Sequence, residues 1–177
     1  MAQQTAHNLD IYFSGTIDKK LKEARELYVR YGSRLLAHQD IRSHLENLDQ
    51  FSSLLSRQML SMGMDRLCTA CAGRDGGGCC SAYMANNTDA ILLLINLLLH
   101  VEVDKQHNND VECCFLGKAG CTLPIKPIFC LNYNCSRIQD AATAAEIKIL
   151  DKAAGKLLSE QIEMERTLLS YFRMKKL

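Results

Sequence analysis

The hydrophobic and polar positions of the chain follow a helical period over its first third. Between residues 15 and 37, apolar residues recur at intervals of three and four, with charged residues largely between them. This stripe consists of Ile17, Leu21, Ala24, Tyr28, Tyr31 and Leu35. A second stripe, with Asp40 as the expected N-cap and an end near Met62, consists of Ile41, Leu45, Leu48, Leu55 and Met59. The two stripes therefore predict two amphipathic helices within residues 15–62.

Two further helices are predicted after residue 87. Residues 88–103 contain an apolar run from Ala90 to Leu99, with Thr88 or Asp89 as the expected N-cap. The run is too short to cross a bilayer, which takes about 20 residues. Because the run is apolar nearly all round, we expect it to form the most buried helix. Residues 138–173 carry a stripe, interrupted at Gln161, of Ile147, Leu150, Ala154, Leu157, Met164, Leu168 and Tyr171. The pattern predicts an all-α fold, a bundle of about four helices in a single domain over residues 1–177.

The two segments between these helices, residues 64–87 and 104–137, lack the helical period. They contain both prolines of the chain, the glycine run at 76–78 and all nine cysteines. A protein that uses cysteine only as a small apolar core residue would scatter it along the chain. Neither segment has the pattern to fold through hydrophobic burial alone. We therefore expect bound metal to hold the two loops together as an irregular Cys-rich metal-binding subdomain.

Charge and composition narrow the class of protein. The 21 basic and 20 acidic residues give a net charge of +1, without the basic excess that favours nucleic-acid binding. Residues 1–10 lack the basic start and apolar run of a secretory signal, so a cytoplasmic location without membrane attachment is expected. Disulfides are uncommon in that reducing compartment, where clustered cysteines are more often metal ligands or redox groups.

The spacing of the cysteines indicates metal ligation. Cys68 and Cys71 form a Cys-x2-Cys pair, whose two thiolates can converge on one ion. Neighbouring side chains diverge in a helix or a strand, so one tetrahedral ion is not expected to bind both members of the adjacent pairs Cys79–Cys80 and Cys113–Cys114. The sequence leaves open two metal centres side by side, one four-thiolate centre with additional packing or redox cysteines, or a polynuclear cluster.

Other residues near the cysteines have expected supporting roles. Bound thiolates carry negative charge, which nearby cations can offset. The candidate cations are Arg74, Lys118, Lys126 and Arg137. The rings of Phe115 and Tyr133 are expected to pack over the metal loops rather than to bind a substrate.

The order of these motifs resembles the YkgJ-type cysteine-cluster family, also described as the CxxCxxCC zinc- or iron-chelating domain. The resemblance covers about residues 64–137. It consists of a Cys-x2-Cys…Cys-Cys block, a helix, and then the motifs Cys113-x-Phe-Leu, Gly-Cys121-x-Leu and Lys126-Pro-x2-Cys130. It implies metal binding, as zinc or as an iron–sulfur cluster. The residues on the cysteine positions of that family are Cys68, Cys71, Cys79, Cys80, Cys113, Cys121, Cys130 and Cys135.

The chain also departs from the pattern of that family. The interval between the second and third matching cysteines is longer than CxxCxxCC implies, and the interval between the sixth and seventh is one residue short. Lys126 stands where arginine is usual. Cys114 stands where the family often has proline, so we leave it out of the ligand set. A similar module occurs in flagellin lysine methylases, but this chain has no glycine-rich nucleotide loop after a strand and is too short for an obvious S-adenosylmethionine domain.

Three functions are compatible with these observations. The favoured one is a cytosolic protein that holds zinc through clustered thiolates, with the metal mainly structural and a helical surface presented to a protein partner or a second copy. The alternatives are an iron–sulfur protein with a redox or methylase-related role, and a thiol redox or metal-delivery protein. The sequence contains no Ser/His/Asp set and no His-Glu-x2-His motif that would indicate catalysis. Whether the protein is an enzyme stays open.

Overall fold

The computed structural model describes residues 9–72, 78–108, 110–133 and 135–174, and most of this part of the chain is helical. A helical turn at residues 9–13 precedes the main elements. These are α1 (Ile17–Ala37), α2 (Gln39–Ser61), α3 (Met64–Ala72), α4 (Ala82–Ala85), α5 (Ala90–Leu98), β1 (Leu116–Gly117), β2 (Gly120–Cys121), a 3-10 helix (Ile128–Leu131), α6 (Ser136–Ala141) and α7 (Ala144–Met174). The predicted all-α helical bundle is confirmed. Of the described helices, none is long and apolar enough to cross a membrane.

The long helices bury the predicted apolar stripes. α2 packs along α7, and α1 packs against α5. α5 is the most buried of these helices, as expected, since only Leu97 of its residues lies outside the fully buried set. Asp89 caps this helix by accepting a hydrogen bond from the backbone N–H of Leu92 at 2.8 Å. The core of the protein therefore forms around a short apolar helix held between longer amphipathic ones.

The predicted N-cap of the second helix is wrong. α2 begins at Gln39, and its N-cap is His38, which makes no capping hydrogen bond with its side chain. The backbone N–H of His38 still bonds to the carbonyl of Leu35 at 3.0 Å, and its own carbonyl accepts from Arg42 at 3.0 Å. One residue therefore ends α1 and starts α2, which leaves Asp40 already inside the helix.

The fourth predicted helix is divided in two. α6 ends at Ala141 and α7 begins at Ala144, with Thr143 between them. The carboxylate of Glu146 accepts from the Thr143 backbone N–H at 2.8 Å, and the Thr143 hydroxyl accepts from the Glu146 N–H at 3.3 Å. These reciprocal bonds form a capping box. The helix predicted over residues 138–173 is therefore interrupted at residues 142–143, before its apolar stripe begins at Ile147.

The expectation that residues 64–87 are irregular is wrong for their first part, because residues 64–72 form α3. Met64, Cys68 and Ala72 recur every four residues, and Met64 and Ala72 are buried. The helix thus has an amphipathic pattern in which a cysteine occupies one of the buried-side positions.

The second Cys-rich segment buries more apolar surface than its sequence pattern predicts. Its residues in the hydrophobic core include Cys114, Phe115, Leu123, Ile125, Leu131 and Tyr133. The fully buried side chain of Asn96 on α5 joins this segment to the central helix. Its Nδ2 donates to the carbonyl of Ile125 at 2.9 Å, and its Oδ1 accepts from the Ile125 N–H at 3.1 Å. Hydrophobic burial and this amide bridge therefore help to position residues 113–135.

Candidate metal centre

A cavity of about 140 Å³ lies between α3, the β1–β2 hairpin and the 3-10 helix. Seven of the eight candidate ligands line it: Cys68, Cys79, Cys80, Cys113, Cys121, Cys130 and Cys135. The eighth, Cys71, is not among the lining residues. It lies one helical turn beyond Cys68, and its thiol is against Gly78. The fold thus brings together cysteines that are up to 67 positions apart along the chain, counting from Cys68 to Cys135.

Backbone hydrogen bonds join the two Cys-rich segments at this cavity. Ser81 and Glu112 form an antiparallel bridge. Next to it, the N–H of Cys113 donates to the carbonyl of Cys80 at 2.9 Å. This short ladder fixes two cysteines from remote parts of the sequence side by side, independently of any bound ion.

Three further elements supply the remaining thiols. Cys121 lies on β2, whose register pairs it with Leu116 of β1. Cys130 lies in the 3-10 helix, where its N–H donates to the carbonyl of Pro127 at 2.8 Å. Cys135 is the N-cap of α6, and its carbonyl accepts from Ile138 at 3.0 Å. Each thiol therefore projects from a backbone position that a turn, a strand pair or a helix start has already ordered.

The nine cysteines are free thiols. Among the residues that the structure describes, no three or more Cys, His, Asp or Glu side chains are grouped closely enough to form a metal site. The cavity therefore collects sulfur ligands around one space without bringing them to coordination distance of a common point.

Burial strongly favours the neutral form of several cavity thiols. It raises the pKa of Cys68 to about 11, and the nearby Cys79 adds to this shift. It also raises the pKa of Cys113 to about 12 and that of Cys130 to about 11. The ammonium of Lys126 lowers the pKa of Cys68 and Cys130 against this trend. A positive ion in the cavity would displace these protons, because only the thiolate is a strong metal ligand.

The two adjacent cysteine pairs behave differently from each other. Cys113 lines the cavity whereas Cys114 is buried in the hydrophobic core, as side-chain divergence predicts. Cys79 and Cys80 both line the cavity, because their backbone is neither helix nor strand and the assumed divergence does not apply. The thiol of Cys80 donates a hydrogen bond to the sulfur of Cys79, which lowers the pKa of Cys79 and raises that of Cys80.

The expected supporting residues are only partly at the cavity. Of the four candidate cations, Lys126 lines it and Lys118 and Arg137 are exposed, while Arg74 lies outside the described residues. Tyr133 lines the cavity, but Phe115 packs in the core.

Sequence reasoning missed three methionines that also line the cavity, Met59, Met64 and Met84. The hydroxyl of Tyr133 donates to the sulfur of Met59 at 3.4 Å. Met59 belonged to a predicted apolar stripe, so its sequence pattern indicated the hydrophobic core and gave no sign of a position beside the cysteines.

No protein-family model matches the chain, and searches of curated proteins and of solved structures found no match either. The functional interpretation of the cavity therefore rests on the residues that line it.

Proposed function

We propose that this is a cytosolic metal-binding protein that holds zinc through cysteine thiolates, with the metal in a mainly structural role. The observation that supports the proposal most is the convergence of seven thiols on one cavity of about 140 Å³. The resemblance to the YkgJ-type family points to the same chemistry. A structural metal leaves the helical surface available to a protein partner or to a second copy of the chain.

The donor atoms at the cavity favour a thiolate-preferring ion. Within the described part of the chain, no histidine lines it, and Asp65 is its one carboxylate. Thiolate ligands suit zinc and iron–sulfur clusters, whereas calcium and magnesium prefer oxygen. Zinc holds four thiolates in a closed tetrahedral site without redox chemistry, which fits a structural role.

Zinc ligation would add further links between chain segments that are remote in sequence. Cys68 on α3, Cys113 beside the backbone ladder and Cys130 on the 3-10 helix belong to three such segments. The free energy of ligation would add to the hydrophobic burial of residues 113–135. Lys126 would offset part of the negative charge of the bound thiolates.

An iron–sulfur cluster is the second candidate. The cavity offers more thiols than the four that one structural zinc ion binds. Its walls also include the apolar side chains of Leu116, Phe129 and Ile138, and an apolar shell limits solvent access to a cluster.

Anaerobic purification followed by elemental analysis and a visible spectrum tests the proposal. Stoichiometric zinc in colourless protein is the expected result. A brown protein with stoichiometric iron and sulfide would replace zinc with the second candidate. Protein that is fully folded, free of metal and unable to bind added zinc would overturn both and leave thiol redox chemistry.

Cysteine variants with a matched control locate the site. Cys68→Ser and Cys130→Ser remove cavity thiols, whereas Cys114→Ser changes a cysteine of the hydrophobic core. We expect the first two variants to lose bound metal and the control to retain it. Equal metal loss in all three variants would refute this division between cavity thiols and the core cysteine.

A further inference from the structure

A second cavity, of about 240 Å³, lies beside the cysteine cavity, between the start of α5, the 3-10 helix and α7. Phe129 lines both cavities. The second one has no cysteine among its lining residues. Asp89, Gln161 and Glu165 give it a polar end, and the rest of its wall is largely apolar.

The polar end contains hydrogen-bond acceptors without matching donors. Gln161 is 3% exposed, and its Nε2 donates to the carboxylate of Glu165 at 3.2 Å. Its Oε1 is buried and has no hydrogen-bond partner among the described residues. A buried carbonyl oxygen left in this state costs free energy, so the site is suited to a ligand that donates hydrogen bonds.

Two carboxylates make this end of the cavity negative. Burial raises the pKa of Glu165 to about 7, with a smaller contribution from the charge of Asp89. Lys20 on α1 is the cation near Asp89, but its Nζ donates to the carbonyl of Asn86 at 2.7 Å and it does not line the cavity. The 3-10 side of the cavity, residues 127–129, contributes no charge. Glu165 is therefore a half-buried carboxylate on the cavity wall, and no cation of the described part of the chain lines this cavity.

The mouth of the cavity is apolar and exposed. Ile128, Phe129 and Ile162 are 53%, 62% and 45% exposed, and all three line it. Large apolar side chains grouped at the rim of a cavity are typical of a binding site. An apolar mouth with acceptors and negative charge at its inner end fits an amphiphilic ligand with a cationic head.

We propose that this cavity binds a primary alkylammonium group, whose N–H donors bond to the Glu165 carboxylate and Gln161 Oε1 while its alkyl chain packs on Ile128, Phe129 and Ile162. An ammonium supplies three donors and a positive charge, which match the free acceptors and the carboxylate. The proposal does not depend on metal in the neighbouring cavity. The shared Phe129 nevertheless places the bound ligand next to the cysteines.

Amide NMR titration of the protein as isolated, with n-pentylamine as the probe, tests this proposal. At pH values above 7 we expect saturable shifts of the Gln161 side-chain amide and of residues around Phe129. The neutral analogue n-pentanol has the same chain without the charge, and tetramethylammonium has the charge without N–H donors. Equal binding of either analogue would overturn the proposal.

Two variants of α7 locate the head group. Glu165→Gln keeps the shape of the side chain and should weaken binding about tenfold or more, because a charge-assisted hydrogen bond is lost. Glu163→Gln changes an exposed residue that pairs with Arg166 and should leave binding unchanged. Equal affinity of both variants for n-pentylamine would contradict the assignment, and so would a failure of the wild-type protein to bind it.

The pH dependence gives an independent readout. Because Glu165 binds the ammonium as a carboxylate, affinity should fall about tenfold between about pH 8 and about pH 6. Glu165→Gln should show no such fall. An equal fall in affinity in the wild-type protein and in Glu165→Gln would overturn the role of Glu165.

Discussion

At the scale of single residues, the side-chain amide of Asn96 on α5 helps to fix the position of the second Cys-rich segment. Asn96 is fully buried and holds both backbone groups of Ile125. It also donates to the carbonyl of Leu92 at 2.8 Å, which keeps its side chain in place on α5. A buried polar side chain is stable when its bonds are made, and here they are made to a segment without regular structure.

We predict that Asn96→Leu lowers the free energy of unfolding by about 2–4 kcal/mol, because the N–H and C=O of Ile125 lose their partners in a buried place. Chemical denaturation measures this change. Asn47→Ala is the control, since it removes an exposed hydrogen bond to Glu160 and should cost less than about 1 kcal/mol. Equal losses in the two variants would show that the bridge to Ile125 contributes nothing special.

Glu165 should make stability depend on pH in the opposite sense to a salt-bridged carboxylate. Its pKa is about 7 in the folded protein against an ordinary value of 4.5, so the folded state binds the proton more tightly. Stability from this group is therefore present at low pH and is lost as pH rises from about 4.5 to about 7. After allowance for solvent screening, the loss should be about 1–2 kcal/mol.

The difference in unfolding free energy between wild type and Glu165→Gln, measured at about pH 5 and about pH 8, checks this prediction. The neutral amide does not titrate, so the variant should gain relative to wild type at the higher pH. Comparing the two proteins cancels the titration of other groups. A difference that stays constant with pH would show that Glu165 is not perturbed.

At the scale of elements, the sequence predicted the helices that carry a repeating apolar pattern. It missed α3, whose buried side includes a cysteine, and the break between α6 and α7. The stripes of α1, α2 and α7 repeat over many turns, and α5 is apolar nearly throughout. Residues 64–72 were expected to be irregular, and Cys68 was interpreted as a metal ligand. In the structure Cys68 occupies a buried-side position of the helix α3. The break before α7 depends on Thr143 and Glu146, a capping pair that lies ahead of the apolar stripe and was not recognised in the sequence.

The candidate site shows the same limit. The grouping of the cysteines in two segments was visible in the sequence, and seven of the eight candidates line one cavity. That they bind a metal stays a prediction. Their arrangement was not, because it depends on the bridge between Ser81 and Glu112 and on the contacts of Asn96. Those pairings are remote in sequence, and a periodic pattern contains no information about them.

The junction between α3 and the Cys79–Cys80 segment should tolerate no added side-chain atom at Gly78. A Cβ there would lie 2.9 Å from the sulfur of Cys71 and 3.2 Å from its backbone carbonyl. Because backbone cannot move aside cheaply, Gly78→Ala should displace the segment that carries Cys79 and lower both thermal stability and bound zinc.

Gly155→Ala is the matched control for this prediction. Gly155 lies within α7, and a Cβ there would meet nothing within 4 Å. Alanine in a helix is favoured over glycine by about 0.5–1 kcal/mol, so this variant should keep its zinc and be slightly more stable. Thermal denaturation and zinc content decide the comparison, and unchanged zinc in Gly78→Ala would contradict the prediction.

At the scale of the whole molecule, two kinds of stabilisation meet at α3 and α5. The pairs α2–α7 and α1–α5 are held by apolar packing. Residues 113–135 combine buried side chains with the amide bridge of Asn96, and in our proposal with metal ligation. Bound metal should therefore stabilise residues 113–135 more than the packed helix pairs α2–α7 and α1–α5.

We predict that anaerobic removal of zinc by a chelator increases hydrogen exchange at α3 and residues 110–133, while α2, α5 and α7 stay protected. The reason is that the cavity thiols lie on the first group of segments, whereas the long helices and α5 are held by core packing. Hydrogen exchange followed by mass spectrometry measures the protection of each segment.

Cys130→Ser should show the exchange pattern of the chelated protein even before chelator is added, whereas Cys114→Ser should resemble zinc-loaded wild type. Equal protection of all segments with and without zinc would mean that the cavity is ordered by its side chains alone. An increase in hydrogen exchange spread evenly over the chain would mean that the cavity segments and the helices α2, α5 and α7 unfold as one unit.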